Sequence, residues 1–227
     1  MEKLEECKNV AFREITPAQK GSPFYRGKGY YIPKRIVDVF CSCIALICLS
    51  PVFLITAIAI KAESAGPVFF FQDRVGKNKR VFKMYKFRSM RTDAPELHQR
   101  LKEEYGDTSG SFKIKDDPRI TKVGKVIRKL SIDELPQLIN IIKGDMSIVG
   151  PRPLPTYEAE DLPDKYNDRF LALPGLTCTW QISGRSEISF EQRMKLDIDY
   201  VKKRSFWNDI GLIFRTIPAV ITGKGAY

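Results

Sequence analysis

A single histidine, His98, stands among 227 residues. It lies in the polar stretch Pro95-Glu96-Leu97-His98-Gln99 and reads as solvated surface, so a histidine-based nucleophile triad or a histidine-rich metal site is not expected. Cysteine is scarce as well. Of the five, Cys41, Cys43 and Cys48 sit in an apolar run, where cysteine behaves as a small hydrophobe, while Cys7 and Cys178 are isolated. No CxxC and no zinc-ligand spacing occurs, which argues for a reducing compartment and against a disulfide scaffold. Internal repeats and low-complexity segments are absent. Acidic residues are outnumbered, 27 Asp and Glu against 38 Lys and Arg, leaving a net charge of +11. That excess implies an anionic partner: nucleic acid, a phospholipid surface or a phosphorylated substrate. Zinc-finger, RNA-recognition and KH signatures are missing, so nucleic acid is not expected among the partners.

What is present centres on Ser131-Ile132-Asp133-Glu134-Leu135-Pro136-Gln137. Two adjacent carboxylates precede an apolar run (Leu135, Leu138, Ile139, Ile141, Ile142) that looks helical, and Pro136 fits only near a helix start. With Asp133 as the cap, Glu134 and Pro136 fall in the first turn, where free N–H groups and the helix dipole attract anions. A purely structural alternative stays open, because Ser131 and Glu134 match the S/T-x-x-E capping box. The surroundings tilt the balance toward chemistry. Arg119, Lys122, Lys125, Arg128 and Lys129 precede the pair and Arg152 follows it, and carboxylates beside cations suit a nucleophile or metal site next to phosphate.

The length allows one compact domain with appendages. Residues 1–30 are polar, with several prolines and glycines, and read as a tail or docked arm; no apolar core follows to make a signal peptide. Residues 39–60 are uncharged and match the ~20 residues of a membrane-spanning helix. Being apolar all round, this run is expected in the membrane rather than in a buried core. Ser50-Pro51 breaks it near the middle, since proline removes the bond to the Ile47 carbonyl. Neither half alone crosses ~30 Å of hydrocarbon. Both flanks are basic, so the positive-inside rule gives no direction for a span. A re-entrant helix hairpin with both ends on the cytoplasmic face is the expectation, with an ordinary kinked span as the alternative.

Further on, residues 68–72 and 80–88 read as a β-hairpin about Gly76-Lys77-Asn78. Whether Lys86 and Arg88 are solvated, lipid-facing or phosphate-facing is left open by the residues. Residues 95–105 form a helix candidate, 106–115 a loop, 116–119 a turn and 157–170 a polar helix or loop. Leu173-Pro174-Gly175-Leu176 reads as a turn and residues 178–182 as a strand. Residues 189–204 read as a helix with Phe190, Met194 and Ile198 toward the core. The stretch after Phe206-Trp207 suits a helix lying in the membrane plane or, equally, a buried one. The sum is a compact mixed α/β domain.

Eight motifs appear in a fixed order: Lys34-Arg35-x-x-Asp38, the Ser50-Pro51 break, Tyr85-Lys86-Phe87-Arg88-Ser89-Met90, Ser131-x-Asp133-Glu134-Leu135-Pro136-Gln137, Lys143-Gly144-Asp145-Met146-Ser147, Gly150-Pro151-Arg152-Pro153, Pro174-Gly175-Leu176-Thr177 and Ser183-Gly184-Arg185. From about residue 31 to the end, the chain resembles the bacterial sugar transferases, monotopic phosphoglycosyl transferases that begin surface-glycan assembly. The resemblance implies a polar extension (1–30), a re-entrant membrane helix (31–64) and a catalytic domain with membrane-surface helices (65–227), at the cytoplasmic face of the bacterial inner membrane. It implies transfer of a sugar 1-phosphate from a UDP-sugar to polyprenyl (undecaprenyl) phosphate with release of UMP. This would be the first membrane step toward an exopolysaccharide, capsule, O-antigen or glycoprotein glycan.

By the same resemblance Asp133 is the nucleophile that takes the phosphosugar covalently, and Glu134 with Mg²⁺ completes the site, the metal lying at Asp133 and Glu134. Motif match makes Lys86, Arg128 and Arg152 phosphate-binding candidates, with Arg185 nearer the sugar or the lipid phosphate; a structural ion pair is the alternative for each. Asp38 is expected to fix the hairpin rather than perform chemistry. Larger relatives carry extra membrane spans and a further domain, so the chain reads as a minimal catalytic unit. Its expected partners are a UDP-sugar, polyprenyl phosphate and membrane phospholipid, with a homo-oligomer left open. Glucose, galactose and N-acetylated sugars are all compatible. A non-catalytic membrane-surface scaffold is the alternative, and the intact Asp133-Glu134 pair is what separates the two.

Overall fold

The computed structural model describes residues 21–97, 117–184 and 188–221. Two helices lead the chain, α1 (Lys28–Cys48) and α2 (Ser50–Glu63), bent by 60° at Leu49. Pro51 leaves the Ile47 carbonyl without its usual helical donor, and the Ser50 hydroxyl donates to that carbonyl at 2.8 Å. The Ser-Pro pair therefore makes the break and also satisfies the acceptor it orphans. Among the described residues no single helix is long and apolar enough to cross a membrane; the bent pair together passes on length and composition.

Helix α1 is dressed inside out. Its buried face carries Tyr30, Lys34, Asp38 and Ser42, one per turn, while Ile36 and Phe40 are each 63% exposed and Ile47 73%. A helix on an ordinary water-facing surface shows the reverse arrangement. The polar face bolts α1 to the rest of the fold. Lys34 pairs with Asp209 at 2.6 Å and donates to the Val149 carbonyl at 3.0 Å. Arg35 donates to the Ile141 and Ile142 carbonyls, and Asp38 accepts from the Ile148 amide at 3.0 Å. The Lys34-Arg35-x-x-Asp38 motif is thus a strap, and Asp38 holds the helix pair as expected.

The hairpin is present. β1 (Phe69–Val75) pairs antiparallel with β2 (Val81–Phe87), Phe69 opposite Phe87 and Val75 opposite Val81. Its turn, Lys77–Lys79, puts Asn78 at φ 55°, a left-handed conformation that asparagine tolerates. Arg88, just past β2, donates to the Ser64 and Ala65 carbonyls at the end of α2, which settles its role as structural. The Glu63 carboxylate accepts from the Lys122 and Val123 amides and joins α2 to the start of α3 (Lys122–Lys129).

After α3 come α4 (Gln137–Lys143) and β3 (Ser147–Val149), which runs parallel to β5 (Gly175–Thr177). β4 (Leu154–Pro155) lies on the other edge of β1, giving the order β2-β1-β4. α5 (Thr156–Glu160), a 3₁₀ stretch (Asp164–Leu171), α6 (Phe190–Lys203) and α7 (Phe206–Ile221) complete the described chain. The architecture is mixed helix and sheet, as the sequence indicates. Met194 is buried in a cluster with Val75, Leu154 and Phe170, and Ile198 packs against it, while Phe190 is exposed. α7 has one buried face, with Asp209 and Leu212, and one outward apolar face, with Trp207, Phe214 and Ile217.

Two expectations fail. The strand read over residues 178–182 is a 3₁₀ turn, Thr179–Ile182, and the strand lies earlier, at β5, where a turn was read. Gly175 is the cause. A Cβ there would meet the Gly150 amide at 2.1 Å, so this glycine permits close approach of two backbones and does not mark a turn. Most of the 95–105 helix and the whole 106–115 loop fall outside the described residues.

Between the 3₁₀ stretch and α6, Arg169 and Asp197 form an ion pair at 2.7 Å, each side chain 1% exposed. Removing one partner strands the other charge in the interior. Asp197→Ala is expected to cost about 3–5 kcal/mol in a denaturant unfolding experiment; a loss below about 1 kcal/mol would show the pair to be dispensable.

Candidate active site

Helix α3 ends at Lys129 with Leu130 as its C-cap, and Ser131 turns the chain through a left-handed φ of 56°. A single 3₁₀ turn, Ile132–Glu134, follows, and α4 begins only at Gln137 with Pro136 as its N-cap. The carboxylates are therefore offered by a tight turn between two helices. This corrects two expectations. Ser131 makes no side-chain cap, so the capping box does not form, and Asp133 does not cap the following helix. An anion seat at a helix N-terminus is not what this segment builds.

The turn presents its two acids differently. Glu134 Oε1 receives Arg152 Nη2 at 2.9 Å and Lys86 Nζ at 3.3 Å. Burial alone would raise its pKa, but the two cations outweigh burial and hold Glu134 well below the usual carboxylate range. In return, Glu134 keeps the Arg152 guanidinium firmly protonated. Asp133 is buried, and among the described residues no hydrogen-bond donor engages its carboxylate. Burial pushes its pKa up; Lys86 pulls it down, Glu134 pushes it further up, and Arg128 and Arg152 pull it down less strongly, the balance lying above the ordinary value. One acid is tied and fully ionised, and the other is untied and easily desolvated. That division suits an electrostatic anchor beside a nucleophile.

Each cation is set by a different element. Lys86 lies on β2 opposite Phe70 of β1. Arg152 sits between β3 and β4, where Arg169 donates to its backbone carbonyl at 2.6 Å and its guanidinium lies 5.8 Å from the Trp180 ring centroid. Arg128 projects from the last turn of α3 within electrostatic reach of Asp133. The structure thus gathers Asp133, Glu134, Lys86, Arg152 and Arg128, while Arg185 lies outside the described residues. Sequence reasoning missed Arg74 on β1, which has Arg152 and Glu134 as electrostatic neighbours. It is one of many cations on the hairpin, and only the strand register singles it out.

No group of three or more His, Cys, Asp or Glu side chains capable of holding a metal occurs among the described residues. A Mg²⁺ ion is satisfied by one or two carboxylates together with phosphate oxygens and water. Asp133 and Glu134 fit that requirement as a site completed by substrate, not as a closed protein cage.

A family model described as bacterial sugar transferase matches residues 29–223. The chain belongs to the bacterial sugar transferases. Among relatives of known name, it is 45% identical to the galactosyl transferase CpsE of Streptococcus agalactiae over 206 residues, covering 89% of this chain and 45% of that protein. It is 44% identical to the exopolysaccharide production protein ExoY of Sinorhizobium fredii over 201 residues, 86% of this chain and 88% of ExoY. It is 41% identical to the undecaprenyl-phosphate galactose phosphotransferase of Salmonella typhimurium over 198 residues, 86% of this chain and 41% of that protein. This bacterial sugar transferase therefore spans less than half of two relatives and most of the third.

Proposed function

We propose that this sugar transferase moves a sugar 1-phosphate from a UDP-sugar to undecaprenyl or another polyprenyl phosphate, through a covalent intermediate on Asp133. The carrying observation is the asymmetric dyad: Glu134 is fixed by Lys86 and Arg152, while among the described residues no hydrogen-bond donor engages the Asp133 carboxylate. The name of the Salmonella relative supports the substrate class. In the first half-reaction an Asp133 oxygen attacks the sugar-bearing phosphorus. The Asp133 O–P bond forms as the bond to the other phosphate breaks, and UMP leaves with that oxygen. In the second, a phosphate oxygen of the lipid attacks the same phosphorus, the O–P bond to Asp133 breaks, and the carboxylate is restored. Two anionic substrates never have to attack one another directly. Arg152, Lys86 and Arg128 counter charge on the phosphoryl oxygens, and Mg²⁺, when bound by Asp133 and Glu134, would neutralise the diphosphate.

The direct test is to mix the protein with Mg²⁺ and a panel of UDP-sugars without lipid and to look for a sugar-phosphate mass on the peptide containing Asp133. The expected result is that adduct, together with a burst of UMP. UMP release with the adduct on a different residue would move the nucleophile.

The inside-out face of α1 and the 60° bend support a re-entrant anchor. α1 and α2 are about 32 and 21 Å long; tilted alike at the 60° bend, they would place the bend ~16 and ~10 Å below their outer ends, so neither arm crosses a ~30 Å core. Cysteines placed before residue 35 and after residue 65, in a variant whose native cysteines are replaced, are expected to label from the same side. Labelling from opposite sides would overturn the anchor.

The charges around Asp133 set the pH response. The attacking form is the carboxylate, so the acid limb of kcat/KM for the donor follows Asp133, which burial raises and any Mg²⁺ bound beside it would lower, and the limb shifts with the neighbouring charges. Lys86→Met removes a cation that lowers this pKa and should move the limb up, whereas Glu134→Gln removes an anion that raises it and should move the limb down. Identical limbs in all three proteins would take Asp133 ionisation out of the profile.

A further inference from the structure

Arg74 lies near the dyad and, among the described residues, has no carboxylate in ion-pair contact. Of its five N–H groups, Nη1 donates to the Pro153 carbonyl at 3.1 Å and Nη2 to the Gln72 side chain at 2.6 Å. Nε is buried with no partner. Both acceptors are neutral; among the described residues no carboxylate forms an ion pair with it, and Glu158 and Glu134 act on it only at longer range. Burial and then the neighbouring Arg152 lower its pKa to about 10, so it remains charged at neutral pH. A desolvated guanidinium beside another cation, with donors unused, is costly unless an anion completes it.

The position fits such an anion. Phe70, Gln72 and Arg74 share one face of β1, and Phe70 stands directly opposite Lys86. Arg74 and Lys86 thus lie on the same face, about 13 Å apart along the strands. The contact to Pro153 places Arg74 one residue from Arg152.

We propose that Arg74 forms a phosphate-monoester subsite used in both half-reactions. This rests on the covalent reading of Asp133. Attack on phosphorus runs in line, so the oxygen that leaves with UMP and the oxygen that enters with the lipid phosphate each stand opposite the Asp133 oxygen. Both belong to phosphate monoesters, and both take the same place in turn. A planar guanidinium with unused N–H groups pairs with such a phosphate bidentately, where an ammonium would act as a point charge.

The test uses the detergent-solubilised full chain and UMP as probe. UMP binding should weaken about tenfold or more in Arg74→Gln and less in Arg74→Lys, and UMP should raise the thermal unfolding temperature of the wild type but not of Arg74→Gln. In turnover, KM for polyprenyl phosphate should rise by a similar factor, and UMP should compete with the lipid phosphate. Equal UMP affinity in wild type and Arg74→Gln overturns the subsite while leaving the covalent reading intact. Weakened UMP binding with an unchanged lipid KM overturns the shared use and confines Arg74 to the nucleotide. A wild type that binds neither UMP nor UDP overturns the functional reading itself. If Arg74→Gln fails to fold, Arg74→Lys decides: unchanged UMP affinity and lipid KM in that variant overturn the guanidinium's role.

Discussion

Asp133→Asn is expected to lower UMP release by roughly 10³-fold or more and to abolish the sugar-phosphate adduct, while leaving the fold intact. Asparagine matches the carboxylate in shape, and the Glu134–Arg152 and Glu134–Lys86 contacts do not involve residue 133. What is lost is an oxygen nucleophile able to form an acyl phosphate. Stability supplies a control with a definite sign. The folded pKa of Asp133 is raised, mainly by burial, so its ionisation works against folding once pH rises above the unfolded value, and the cost is complete above the folded one. The neutral Asn avoids that cost. Asp133→Asn should therefore melt at or above the wild-type temperature at neutral pH, the difference closing in acid where wild-type Asp133 is protonated. A dead enzyme that is also destabilised would point to a structural Asp133; an active, adduct-forming variant would place the nucleophile elsewhere.

The dyad and the kinked helix pair were legible in the sequence for the same reason: each is a local feature that tertiary context does little to change. Adjacent acids among cations, and a long uncharged run broken by Ser50-Pro51, keep their meaning in any fold. What stayed hidden depends on partners far along the chain. A hydropathy reading averages round a helix, so the run beginning at Val39 looked apolar on every face and the inward polar ridge from Lys34 to Ser42 was invisible. Ser131 and Glu134 satisfied a capping pattern, yet the left-handed backbone at Ser131 ends α3 and prevents the box. Gly175 read as a turn because glycine has two uses, and only the neighbouring Gly150 backbone reveals the second. Arg74 was one hairpin cation among several until register placed it on the face of Lys86. Motif order pointed to the family; packing decided which cations gather beside the two carboxylates.

Arg152→Ala is expected to be nearly as damaging as loss of the nucleophile, for a different reason. Arg152 fixes Glu134 at 2.9 Å and helps hold down the pKa of Asp133, and in the proposed mechanism its guanidinium also meets the transferring phosphoryl group. Its aim is supported from behind by the Arg169 bond to its carbonyl and from the side by the Trp180 ring. Positioned arginines that meet transition-state charge in phosphoryl transfer contribute about 10³–10⁵ in rate, and a drop of at least ~10³ in kcat is expected here. Arg152→Lys should recover little, because an ammonium cannot hold Glu134 and a phosphate oxygen through one rigid plane. Membrane attachment should be unaffected, since none of the contacts of Arg152 described above reaches α1 or α2. If Arg152→Ala kept turnover within tenfold of wild type, Arg152 would be reduced to a salt-bridge partner of Glu134. Charge on the moving phosphoryl group would then have to be met by Arg128 and by Lys86, whose own ammonium is desolvated and whose pKa burial lowers. A desolvated lysine and an arginine within electrostatic reach of Asp133 are weak substitutes for a guanidinium fixed at 2.9 Å from Glu134, and this is why the larger loss is expected.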